Sequence, residues 1–205
     1  MRPAVPLGLF VALIAPFFLN DIGFMLAGSA PQWLAVDYVS KAIAVAAVIL
    51  VPTLRRAVAS GSRWPANGWF TAAGIALVTA ACVAGIASLD WLGWDEATAL
   101  QTFYPIAQSW LLVFDLAIGL TLTAIAEEIV FRRLFIDTFA TRLAPLGLYV
   151  VSATLFAAIH WSNGAGTIAG AFLAGLLLMW LTRRTGSVLP AVAAHYCINL
   201  ILFWP

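Results

Sequence analysis

The chain has 205 residues, 63% of them hydrophobic and only 9% charged, against roughly 25% charged in an average soluble domain. So few charges cannot coat a water-soluble surface. A net charge of +1, with no basic run and no acidic tail, gives no argument for a nucleic-acid partner and leaves the lipid bilayer.

Hydropathy predicts spans near 5–27, 33–54, 68–89, 107–127, 145–162, 165–182 and 188–204, most of them close to the roughly 20 residues that cross a bilayer. The expected fold is all-α: a polytopic membrane helix bundle of about seven transmembrane spans, one integral membrane domain over residues 1–205. No internal repeat or extramembrane domain interrupts it, and the longest loops, near 55–67 and 90–106, are short.

The first span starts after Arg2 and ends in Ala27-Gly28-Ser29-Ala30. That sequence would suit signal-peptide cleavage, but the segment is read here as a retained span. In the second span Asp37 and Lys41 lie at i and i+4, so they can neutralise each other as a structural pair or line a polar cavity. Asp115, alone in the fourth span, has the same two readings. The sixth span carries Gly166, Gly170, Ala171 and Gly175, small residues that permit close helix packing. Cys82 and Cys197 fall in apolar segments, away from disulfide chemistry.

Arginine sets the orientation, because cytoplasmic loops retain positive charge. Arg2; Arg55, Arg56 and Arg63; Arg132, Arg133 and Arg142; and Arg183 and Arg184 all fall on one side of this span pattern, which places the N-terminus in the cytoplasm. The opposite loops carry Asp90, Asp95 and Glu96 or no charge, so the C-terminus is expected outside. Trp33, Trp64, Trp69, Trp91, Trp94, Trp110, Trp161, Trp180 and Trp204 fall near span ends, where indoles favour the interface.

Ionisable groups within such segments are costly enough to suggest function, and three clusters have helical spacing. In AIAEEIVFRRLF, residues 124–135, Glu128 and Arg132 can pair at i and i+4. Glu127 diverges from Glu128 by about 100° and has no local partner. A desolvated carboxylate is a better base than a solvated one, so Glu127 is the expected general base and Glu128 with Arg132 its structural support. Taken alone, this cluster also reads as a charged helix end.

In LFAAIHW, residues 155–161, Phe156 lies one turn before His160 and can orient the imidazole and exclude water around it. In AAHYCINL, residues 193–200, His195 and Asn199 share a face and can donate hydrogen bonds to a developing oxyanion. Cys197 points about 200° away from His195, which makes it a poor nucleophile. The chain has only two histidines, and both occur in such clusters.

EExxxR at 127–132, FxxxH at 156–160 and HxxxN at 195–199, in that order on successive segments, resemble the CPBP family: the CAAX proteases and bacteriocin-processing enzymes, also called Abi, which include the type II prenyl-protein proteases. The motif-bearing core covers about 107–204. The resemblance implies an intramembrane endopeptidase of the glutamic type, with no cofactor and no metal. Glu127 and His160 would activate a water, His195 and Asn199 would stabilise the oxyanion, and Glu128, Arg132 and Phe156 would support the site. It also implies a membrane-anchored protein or peptide as substrate: a prenylated C-terminus, a leader peptide or a C-terminal sorting tail. The expected location is the bacterial cytoplasmic membrane.

Two other readings compete. A zinc metalloprotease would use His160, His195 and Glu127 as ligands, although no HExxH is present. A non-catalytic scaffold or immunity-type binding protein would keep the fold for partner recognition. Literal span boundaries also place Glu127 and His160 at opposite faces, about 20 Å apart. Catalysis on one water therefore requires the fourth helix to continue past Glu127, so that both residues reach a shared cavity, expected to open to the cytoplasm.

Overall fold

The computed structural model describes residues 5–61, 70–75, 77–79, 98–100 and 104–204, and among them there is helix and no strand. Most of the third expected span, both expected long loops in large part, and Arg2, Arg63, Trp64, Trp69, Cys82, Asp90, Trp91, Trp94, Asp95 and Glu96 lie outside the described residues. Helices α1 (Leu7–Leu26) and α2 (Ala30–Leu50) pack on each other as an antiparallel pair. Pro52 ends α2 by holding Val51 extended, at φ −93° and ψ 110°, and it then occupies the first turn of α3 (Pro52–Ser60), where its missing N–H costs nothing. Helix α3 turns Leu54 and Ala57 inward and leaves Arg55 and Arg56 exposed.

The next long helix, α4, runs unbroken from Ser109 to Phe139. It continues past Glu127, as a shared site required, because residues 130–135 have a core to bury into. Val130, Phe131, Leu134 and Phe135 are all fully buried. Two wide π-turns, Asp115–Gly119 and Ile129–Leu134, shift the register on either side of the glutamates, a deviation often found at functional sites. The Ser152 hydroxyl donates to the Phe131 carbonyl at 2.6 Å and so supplies a partner within the second wide turn.

Helices α5 (Pro145–Ala158), α6 (Ala165–Thr185) and α7 (Leu189–Phe203) follow, and the helical residues 70–75 pack against α6 and α7 through Ala72. Helix α6 stops at Gly186, whose φ of +67° suits glycine as the residue that closes a helix. The small-residue face of α6 is packing, as read from the sequence. A Cβ added to Gly175 would stand 2.9 Å from the Ala153 Cα on α5.

Among the described residues, four of the about seven expected spans are helices long and apolar enough to cross a membrane: α1, α2, α4 and α6. Helices α5 and α7 have 14 and 15 residues, about 21 to 23 Å, less than the roughly 30 Å of a hydrocarbon core. The expected span 145–162 ends early because the chain turns after Ala158, with the His160 amide bonded back to the Ala157 carbonyl.

Ring contacts fix how these helices meet. Phe10 of α1 packs edge-on against Phe135 and Phe139 of α4, Phe17 against Phe131, and Phe131 against Phe156 of α5. At one end of the bundle Arg133 donates to the Ala57 carbonyl at 2.8 Å and to Ser60, and pairs with Asp137 at 2.7 Å. The Val188 amide reaches the Gly61 carbonyl at 2.9 Å. These contacts bring the start of α1, the end of α2 with α3, the end of α4 and the α6–α7 turn together, with exposed Arg55, Arg56, Arg142, Arg183 and Arg184 around them. Arg132 and Arg133 do not belong among the loop charges used for orientation. Both are buried in α4, where each has a carboxylate four residues away along the helix.

Replacement of Gly175 by leucine is expected to force α5 and α6 apart and to cost about 1–3 kcal/mol of stability. Gly8→Ala, which meets nothing within 4 Å, should change stability by less than about 1 kcal/mol. Thermal unfolding in detergent distinguishes the two, and equal midpoints would remove the close α5–α6 approach as a constraint.

Candidate active site

The second turn of the π-distorted stretch of α4 aims Arg132 back along the helix at Glu128. The Nε to Oε2 distance is 3.2 Å, and both side chains are fully buried. The Arg132 guanidinium rests over the Phe156 ring at 4.3 Å from its centroid, a favourable placement for a desolvated cation. The other oxygen of Glu128 holds the His195 Nδ1 at 2.8 Å. Helix α7 carries His195 and packs along α4 at Leu120–Glu128. Ala191 and Ala194 of α7 are buried in a cluster with Ala174, Leu178 and Leu181 of α6. Phe156 also stands edge-on to both imidazoles, 5.2 Å from His160 and 5.7 Å from His195.

These contacts assign the tautomers by chemistry, since hydrogen positions must be inferred from partners. The His160 Nδ1 lies 2.9 Å from the Phe156 carbonyl, which can only accept, so Nδ1 donates and Nε2 is left for other work. A carboxylate at the His195 Nδ1 makes the same assignment for that ring. The His195 Nε2 then lies 3.8 Å from the Glu127 Oε2.

Glu127 is 3% exposed, and it does not lack partners as its local sequence suggested. The Lys41 ammonium of α2 stands 3.4 Å from its Oε1 and 2.6 Å from the Asp37 Oδ1. Asn20 and Thr123 also donate to Asp37, at 3.1 and 3.3 Å. Both readings of the Asp37–Lys41 pair therefore hold: it is an ion pair, and it faces a cavity. Asp115 likewise accepts from Tyr38 at 2.7 Å while lining the same space.

That cavity has a volume of about 140 Å³, room for several waters among polar walls. Glu127, His160, His195 and Asn199 all line it, together with Lys41, Asp37 and Asp21. The expected meeting of Glu127 and His160 is thus met at the level of one shared cavity. Its lining is not spread evenly along the bundle. Each helix contributes residues from its half away from the exposed arginines: 17–24 of α1, 33–41 of α2, 115–127 of α4 and 195–203 of α7, with 159–163 after α5. The cavity therefore lies toward the arginine-poor end of the bundle.

Sequence reasoning gave no role to Asp21. It accepts from the Ser162 amide and hydroxyl at 3.0 and 2.8 Å, and Trp161 donates to the Phe18 carbonyl at 3.3 Å. Together these bonds pin the turn that carries His160 onto α1. A carboxylate in an apolar span was the available signal. Cys197 is exposed and lies off the cavity wall. Among the described residues no group of three His, Cys, Asp or Glu side chains is placed to hold a metal ion.

The family model for type II CAAX prenyl endopeptidases, Rce1-like, matches residues 108–201. These residues take in all three motifs and nearly coincide with the motif-bearing core read from the sequence. No curated protein and no solved structure matches the chain.

Arg132→Met should leave Glu128 buried and uncompensated, a loss on the order of 3–5 kcal/mol. Adding Glu128→Gln to it should restore part of that stability, as read from thermal unfolding of the purified protein. A single variant as stable as the parent would show that the pair does not organise the bundle.

Proposed function

We propose that this integral membrane protein, whose residues 108–201 belong to the Rce1-like family of type II CAAX prenyl endopeptidases, is a glutamic-type intramembrane endopeptidase of the bacterial cytoplasmic membrane. Its substrate is a membrane-anchored protein or peptide. One observation supports this above the others: Glu127 of EExxxR, His160 of FxxxH and His195 with Asn199 of HxxxN, from three separate segments, line one polar cavity and include both histidines of the chain.

In this reading a water sits between the Glu127 carboxylate and the His160 Nε2. Glu127 takes one proton as the water oxygen bonds to the scissile carbonyl carbon, and the carbonyl π pair moves onto oxygen. The Asn199 amide and the His195 Nε2–H donate to that oxyanion. Because Nδ1–H of His195 is already given to Glu128, donation from Nε2 requires an imidazolium that is doubly protonated before the water attacks and keeps both protons through the step. Collapse of the tetrahedral intermediate breaks the C–N bond, and the departing nitrogen receives the proton held by Glu127.

Lys41 is a positioning residue here. Its ammonium balances the charge of Glu127 and fixes Oε1, while Asp37, itself held by Asn20 and Thr123, fixes the ammonium. The N-terminal half, outside the family match, thereby supplies part of the machinery. Glu128 is more than passive support, since it sets the tautomer and direction of His195.

The test is cleavage of a panel of membrane-anchored peptides by purified protein. Glu127→Gln should abolish turnover without lowering the unfolding midpoint, and Asn199→Ala should lower kcat about a hundredfold to a thousandfold. Lys41→Met should lower kcat with KM unchanged, and Lys41→Arg should recover part of the rate. Activity is expected to survive exhaustive chelation. Full turnover by Glu127→Gln would refute the mechanism, and loss on chelation would favour the zinc alternative.

A further inference from the structure

Resting on that reading, we infer that the site is served from the non-cytoplasmic side. Its substrate is then a membrane-anchored polypeptide whose scissile segment has already been translocated, and not a cytoplasmic C-terminal tail. Two independent features of the bundle carry this. The first is the distribution of exposed cations: Arg55, Arg56, Arg142, Arg183 and Arg184 all decorate one end. That end is held together by the Arg133–Ala57 and Val188–Gly61 contacts, and clustering of this kind marks the cytoplasmic face.

The second is the direction of the cavity. From Glu127 and Lys41 at mid-depth it passes Asp37, Asp115 and Asn199 and ends among Phe24, Trp33, Asn163 and Phe203. All four of these lie at the end opposite the arginines, and Phe203 is 53% exposed. The described stretches at that end, 24–33, 98–100, 104–108 and 159–165, carry no Lys or Arg. Toward the arginine-rich end the route from Glu127 is closed. There Arg132, Val130, Phe131, Leu134 and Phe135 are fully buried, with Phe10, Phe17 and Leu54 against them. A polypeptide or a water reaching Glu127 by the polar route therefore enters from the arginine-poor end. The aromatic residues at that mouth suit a segment that arrives beside the lipid headgroups.

The test separates access from catalysis. In a Cys82→Ser, Cys197→Ser background, Leu120→Cys places a thiol on the cavity wall, and Arg142→Cys marks the arginine-rich end. A small membrane-impermeant thiosulfonate is applied to right-side-out and to inverted membrane vesicles. Leu120→Cys should react only in right-side-out vesicles and Arg142→Cys only in inverted ones. Reaction of both from the same face, or none at Leu120→Cys from the right-side-out face, would overturn the inference. A single-span test polypeptide, inserted with its extramembrane tail on either side, gives the second readout. Cleavage is expected only with the tail on the arginine-poor side, and cleavage only in the opposite geometry would overturn the inference. Absence of cleavage in both geometries would count against the proteolytic reading, and the labelling result would still decide the side of access.

Discussion

A fully buried ion pair between Glu128 and Arg132, extended by a hydrogen bond to His195, is the constraint on which the rest of the site depends. Two unit charges taken out of water are expensive, and their attraction repays that cost only with good geometry and further partners. The bundle supplies these from three helices. Helix α4 provides both charges, α5 provides the Phe156 ring under the guanidinium, and α7 provides the imidazole on the free carboxylate oxygen. Because each helix contributes one contact to this group, a shift of any of them takes a partner from a buried charge. The same contacts fix both histidines around a single ring.

A second polar knot, built on Lys41, performs the corresponding task for Glu127. Lys41 is shared between Asp37 and Glu127, and Asp37 is in turn held by Asn20 of α1 and Thr123 of α4. The two adjacent glutamates thus belong to different networks, one facing the core and one facing the cavity. That division follows from helix geometry, since neighbouring side chains diverge by about 100°. It also means that Glu128 is a poor neutral control for Glu127 in any mutational experiment, because it holds His195.

Much of this was legible in the sequence, for identifiable reasons. The i, i+4 relation of Glu128 and Arg132 and that of Asp37 and Lys41 are local, and local pairs survive folding. Contacts between helices carry no such trace: nothing in the spacing indicated that Lys41 would meet Glu127, or that Glu128 would hold His195 67 residues away. The run of charges at Arg132 and Arg133 misled the orientation argument, because hydropathy treats an arginine as a loop residue unless its partner is known. Asp21 was missed for a related reason, since its partner Ser162 lies 141 residues further on. The fourth helix was cut short at Glu127 by the same averaging, and only the chemical need to bring Glu127 and His160 together argued for its continuation to Phe139.

The two knots also bear on why such a site can work in a medium that stabilises charge poorly. In the proposed step a proton moves from water to Glu127 while one negative charge appears on the oxyanion. The total charge of the cavity does not change. Lys41 faces the place where the charge begins, and His195 and Asn199 face the place where it ends. Each is held by groups outside the reacting atoms, Lys41 by Asp37 and His195 by Glu128. Donors fixed in advance need not reorganise as the charge moves, and that is where electrostatic stabilisation is most effective. A solvent-exposed site could recruit water for this purpose; here the ordered side chains of the four helices α1, α2, α4 and α7 take its place.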